Sequence, residues 1–221
     1  MVSYNCGYWV FFNPRFYLLL YLIILNNIYM KRFTGLLFAT CLFGLPTIGQ
    51  KVKTTSGNDD ILKSESSINI EFNYDNITVG KFKNEQEYIT TKTEEYNKKE
   101  AGKGDSWAAS WKNDREARYQ PKFIELFTLS SGMSVAKDAK YTMIVKTLSI
   151  EPGWNIGISR KNAEIDLEVW IVETANKSSK LATFTISNVP GGTAFGYDFD
   201  TGLRISEAYA KAGKSLGKSL K

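Results

Sequence analysis

Histidine is missing from the whole chain, and its two cysteines, Cys6 and Cys41, both lie within the first 50 residues. These two gaps exclude several chemistries. A Ser-His-Asp or Cys-His catalytic set cannot be assembled. A His metal site is impossible, and the body of the chain can form neither a disulfide nor a zinc-thiolate site. Acidic residues are absent from residues 1–50, which hold only Arg15, Lys31 and Arg32 as charges. The remainder carries 25 basic and 23 acidic residues, close to balance. That balance gives no electrostatic ground for nucleic-acid binding. No cofactor is expected, and the reading is of a protein that is not an enzyme.

The leader sets the compartment. Residues 30–49 read MKRFTGLLFATCLFGLPTIG. Lys31 and Arg32 form a basic start, Phe33 to Leu45 an apolar stretch, and Thr47 and Gly49 a small-residue cleavage pattern ahead of Gln50. This is the pattern of a secretory signal. The address expected is export, to the periplasm or the face of an outer membrane. Upstream, Phe16 to Leu25 is apolar but too short to span a bilayer, which takes about 20 residues. Residues 1–29 are expected to lie ahead of the true start at Met30. The alternative is one long uncut anchor over residues 16–45. Membrane attachment would then come only from that uncut leader, or from lipid on Cys41, where Phe38-Ala39-Thr40-Cys41 makes a poor lipobox.

The exported part follows. Residues 50–66 are polar and read as a flexible linker. Residues 67–221 are expected to form a single globular domain, long enough for a sizeable core. Ile68, Ile70, Phe72 and Tyr74 alternate with polar residues, the period of a half-buried strand. Residues 83–99 are highly charged, with Phe82, Ile89 and Tyr96 on one narrow stripe, and read as an exposed helix. Asp105 or Ser106 is expected to cap a second helix that places Trp107 and Trp111 on one face. Pro121 suits the first turn of a third, which Gly132 ends.

Three strands come next: Tyr141–Ile150, a strand through Ile165–Ile171, and Leu181–Ile186. In the last helix, Ile205, Ala208, Tyr209, Ala212, Leu216 and Leu220 share one face at about 100° per residue. Lys211, Lys214, Lys218 and Lys221 lie opposite, and Asp200 or Thr201 is placed to cap its start. Gly213 and Gly217 suggest close approach to a sheet. With the exposed helix over residues 83–99 left aside or merged, the order β-α-α-β-β-β-α predicts an α+β two-layer sandwich. Its sheet should be mostly antiparallel, of four or more strands, with helices on one face.

Four features bear on function. Glu164, Asp166 and Glu168 form an acidic row along one strand, which reads foremost as the wet face of a one-sided sheet. Asp198-Phe199-Asp200-Thr201-Gly202 opens like a calcium loop but lacks the later ligands, so no metal site is expected. Trp154, Asn155, Arg160 and Lys161 put an aromatic ring beside cations at a turn, the pattern of a sugar or anion site. Trp107 and Trp111 pack as core or offer a surface to a partner.

Three stretches carry a resemblance: EPGWNIGISRKNA (Glu151 to Ala163), the acidic strand after it, and the ending TGLRISEAYAKAGKSLGKSLK from Thr201. Together they resemble small exported proteins of unknown function from Bacteroidetes-type bacteria. More distantly, a strand-rich body closed by a helix with Arg204-Ile205 and Ala208-Tyr209 resembles envelope lipoprotein domains akin to those of the curli secretion channel. The resemblance implies a compartment and no activity. The expectation is a non-catalytic cell-envelope protein acting as a partner or assembly module, with an envelope protein or a glycan as partner. The alternative is a periplasmic ligand-binding module using the Trp154–Lys161 loop.

Overall fold

The computed structural model divides the chain at Ile48/Gly49, and the described residues all belong to the second unit, Gly49–Lys221. It describes residues 52–155, 158–192 and 201–221. The leader, Cys41 and the Asp198–Asp200 pair therefore lie outside the described residues.

The first element is one the composition did not suggest. Val52–Gly57 forms β1, an edge strand antiparallel to β9 (Ala182–Pro190). Asn58 then accepts from the Asp60 amide and caps a single 3-10 turn, Asp59–Leu62, whose Leu62 is fully buried. This corrects the flexible linker expected over residues 50–66. After Val52, which packs partly on the core, the side chains of β1 are polar and exposed, but an edge strand is held by its backbone, and polar side chains are what keep such an edge from pairing further.

The strands and helices read from the sequence follow in order. β2 is Ser67–Asn73 and β3 is Thr78–Val79. Three helices come next: α1 (Glu85–Lys99), α2 (Lys103–Asp114) and α3 (Gln120–Ser131). Then come β4 (Ser134–Val135), β5 (Tyr141–Glu151), β6 (Trp154–Asn155), β7 (Arg160–Lys161), β8 (Glu164–Glu173) and β9. The described chain closes with α4, Thr201–Ser219.

One sheet runs in the order β1-β9-β8-β5-β2-β4, with β3 also on β5. The strands β5, β8 and β9 follow one another antiparallel, and β1, from the start of the described chain, adds antiparallel to β9. β2 joins β5 in parallel, because the chain returns through the three helices and re-enters in the same direction. The fold is α+β, with helices packed on the sheet. Ile165, Leu167, Val169 and Ile171 of β8 are all fully buried, alternating with half-buried polar residues.

Between α2 and α3 the helix does not break. Arg115–Tyr119 forms a π turn instead, and helical backbone continues from Lys103 to Ser131. Pro121 explains the position. A proline ring inside a helix collides with the carbonyl four residues back, here that of Ala117. Widening the turn at 115–119 opens the space the ring needs. It also rotates Ala117 and Arg118 away from the face that buries Tyr119 and Phe123. α2 begins at Lys103 behind Gly102 (φ 78°), so Asp105 and Ser106 sit inside its first turn and do not cap it.

α4 buries the face the periodicity gave: Ile205, Ala208, Tyr209, Ala212 and Leu216 are fully buried, while Lys211, Lys214, Lys218 and Lys221 are exposed and Lys211 Nζ donates to the Gly191 carbonyl at 3.2 Å. Gly213 and Gly217 do allow close approach, but to α3. A Cβ on Gly213 would stand 2.2 Å from the Phe123 carbonyl oxygen, and one on Gly217 2.7 Å from that of Phe127. The sheet expected there is replaced by a helix backbone. α3 and α4 also share a stacked pair through the π turn, with Tyr119 and Tyr209 5.1 Å apart and 4° from parallel.

Candidate functional site

Trp107 and Trp111 sit one turn apart on α2, as their spacing predicts, with ring centroids 5.8 Å apart. Their environments differ. Trp111 is 3% exposed, and its indole N–H donates to Glu85 Oε1 at 2.7 Å. The same carboxylate takes Arg115, whose guanidinium lies 4.6 Å over the Tyr74 ring. Trp111 is thus a core residue that locks α2 to the start of α1, the core placement of the two its spacing left open. Trp107 is only half-buried. Three rings fix it: Tyr88 at 5.6 Å, Tyr96 at 5.5 Å and Trp111.

The uncovered part of Trp107 lines a cleft of about 570 Å³. Ser106, Ser110, Asn113, Asp114 and Ala117 line it too. Their spacing of three and four residues puts them on one helical face beside the Trp107–Trp111 stripe. The π turn presents Arg118 to the same space, and the first turn of α4 closes it with Thr201 and Gly202. Arg118 Nε and the Asp114 carboxylate are 3.1 Å apart, with side chains 40% and 14% exposed. Asp114 also packs on Gly202, where a Cβ would meet Oδ2 at 1.8 Å. The wall formed by α4 is therefore fitted to the ion pair opposite. Arg204 braces that wall from behind, donating to the Pro152 carbonyl at 3.0 Å and to Thr201 Oγ1 at 3.4 Å.

The cleft pairs an aromatic floor with hydroxyl, amide, carboxylate and guanidinium walls. Its one cation and one anion are paired, so the site is close to neutral. Behind it lies a layer of buried phenols. Burial pushes Tyr74 up to about 12, and raises Tyr88, Tyr119 and Tyr209 well above the ordinary tyrosine value. These groups stay neutral near pH 7 and keep the floor rigid and uncharged.

The other residues singled out by the sequence lie elsewhere. Trp154 and Lys161 face each other across the small β6–β7 ribbon, as do Asn155 and Arg160. Trp154 is 42% exposed and Ile158, at the tip, 97%. Lys161 pairs with Glu151 at 2.7 Å, and that hydrogen bond raises its pKa. The hairpin contributes no residue to the cleft lining. It meets the cleft indirectly, since the Pro152 carbonyl at its base holds Arg204.

The acidic row does not converge. Asp166 accepts from Ser149 Oγ and from the Asn188 amide, each at 2.7 Å, while Glu168 turns to Lys180 at 3.6 Å. Glu164 lies across the β5–β8 ladder from Glu151. Among the described residues no group of three acidic or thiol side chains is placed to hold a metal ion. The residues the sequence did not flag are Ser110, Asn113, Asp114 and Arg118. Asp114 and Arg118 stand four apart, the spacing of a helical ion pair, which is the signal that was available.

No family model matches the sequence, and no curated protein matches it. Among solved structures, the chain is similar to a PelC dodecamer from Paraburkholderia phytofirmans, at 12% identity and a TM-score of 0.34, covering 76% of this chain and 96% of that one. A variant of that PelC dodecamer gives 10% identity and a TM-score of 0.32, covering 73% of this chain and 96% of the other.

Proposed function

We propose that this chain is a non-catalytic exported module of the cell envelope that works by binding a partner. The cleft carries the reading. Its floor is a tryptophan fixed by three neighbouring rings, and its walls offer hydrogen bonds from two helices and the π turn. Rigid aromatic surface with a few placed polar groups is the composition of a binding site. The acidic row is spread along one strand, with Asp166 bonded to Ser149 and Glu168 turned to Lys180. The compartment is supported by the signal pattern of residues 30–49. Among the described residues, no helix is long and apolar enough to cross a membrane.

A second reading puts the binding surface on the β6–β7 hairpin, which the exposure of Trp154 favours.

The test is the intact mass of the protein recovered from soluble and membrane fractions of its native envelope. A soluble species beginning at Gln50, or a membrane species retaining the leader or carrying lipid on Cys41, agrees with the proposal. Full-length protein confined to the cytoplasm overturns it.

A further inference from the structure

We infer that the cleft between α2, the π turn and α4 binds a neutral oligosaccharide, a reading that rests on the binding role proposed above. Three properties select this ligand class.

The first is the floor. Trp107 offers an indole surface to the cleft while Tyr88, Tyr96 and Trp111 hold it from the other sides. A sugar ring has an apolar C–H face that packs on such a surface. Because the indole is already fixed, no rotamer freedom is lost when it does.

The second is the wall. Ser110, Asn113, Asp114, Arg118 and Thr201 surround the floor with donors and acceptors of several kinds. An apolar ligand would bury these groups without partners, at a cost. The edge of a sugar ring, with hydroxyls that both donate and accept, satisfies them.

The third is charge. Asp114 and Arg118 neutralise each other across 3.1 Å. An anionic ligand would have to take Arg118 from Asp114 and leave a carboxylate, 14% exposed, facing it. A cation would face the converse problem with Arg118. A neutral hydroxyl can bond to either member and leave the pair intact. The volume, about 570 Å³, lies inside the range of small-ligand sites, about 300–1,000 Å³.

The experiment is isothermal titration of the purified mature protein with single neutral oligosaccharides: cellohexaose, maltohexaose, laminarihexaose, mannohexaose and chitohexaose. Oligogalacturonate serves as the anionic probe. The expected result is saturable binding of at least one neutral sugar, weakened about tenfold or more by Trp107→Ala. Since Trp107 is half-buried, Ser110→Gln is the second variant. It lengthens an exposed side chain into the cleft mouth and touches no core residue, and it too should weaken binding. Binding of oligogalacturonate alone, or of none of these probes, overturns the inference. So does neutral-sugar binding that both variants leave unchanged. None of these outcomes depends on the mass measurement, so the envelope assignment and the ligand class fail separately.

Discussion

The carboxylate of Asp114 rests on Gly202 so closely that a Cβ there would lie 1.8 Å from Oδ2. One glycine hydrogen thus sets how near the start of α4 comes to the end of α2, and with it the width of the cleft.

This contact differs from the other close approaches of α4. At Gly213 the obstacle is the Phe123 backbone carbonyl, which cannot move without shifting α3. At Gly202 it is the end of a side chain. Gly213→Ala should therefore lower stability by about 1–3 kcal/mol or more in urea denaturation. Gly202→Ala should cost less than about 1.5 kcal/mol, yet turn Asp114 away from Arg118 and weaken ligand binding.

Glu85 holds two groups at once, the Trp111 indole N–H and Arg115. Glu85→Ala leaves the buried Trp111 indole N–H and the half-buried Arg115 guanidinium without their acceptor and should cost about 2–3 kcal/mol. Glu85→Gln keeps an acceptor for the indole and should cost less. Chemical denaturation of both variants checks the order.

The sequence carried much of this architecture and little of the site. The last helix was legible because Ile205, Ala208, Tyr209, Ala212 and Leu216 repeat at the helical period, and periodicity survives any tertiary context. β1 was not legible, because an edge strand is held by backbone pairing and its side chains resemble those of a linker. Pro121 announced a new helix, and the chain answered with a π turn that keeps the axis running. The cleft was only half visible. Trp107 and Trp111 share a helical face by spacing alone. Their different fates depend on Glu85, which is 26 residues away from Trp111 and reaches only its indole. Thr201 and Gly202 join the site from the far end of the chain, where the local pattern marked a helix start and not a cleft wall. The expected ligand residues Trp154, Asn155, Arg160 and Lys161 were read at a turn, and they lie on a hairpin separate from the cleft.

Alkaline pH should unfold the domain in a defined window. Burial holds the Tyr74 phenol up to about 12, against an ordinary value of 10.0, and raises Tyr88, Tyr119 and Tyr209 well above that ordinary value too. The folded state keeps these protons while the unfolded chain loses them, so the stabilisation is complete below pH 10 and falls as pH rises from there toward 12. A titration of tyrosine absorbance should show the exposed phenols ionising first, and the buried ones together with loss of circular dichroism.

Trp154→Ala should change stability by less than about 1 kcal/mol, because the ring is 42% exposed on a two-stranded ribbon. Breaking the Lys161–Glu151 pair beside it should cost no more than about 1 kcal/mol. Neither change should alter binding in the cleft. Thermal denaturation and titration with the neutral sugar check both statements.

The most direct measurement is a nitrogen–proton correlation spectrum of the mature protein, following the tryptophan indole N–H signals as the neutral oligosaccharide is added. Trp107, Trp111, Trp154 and Trp170 each give one such signal, assigned by substitution. The account predicts that Trp107 moves most and saturates with the binding heat, while Trp154 stays in place. Movement of Trp154 with Trp107 unchanged would put the ligand on the hairpin and contradict the assignment of the cleft.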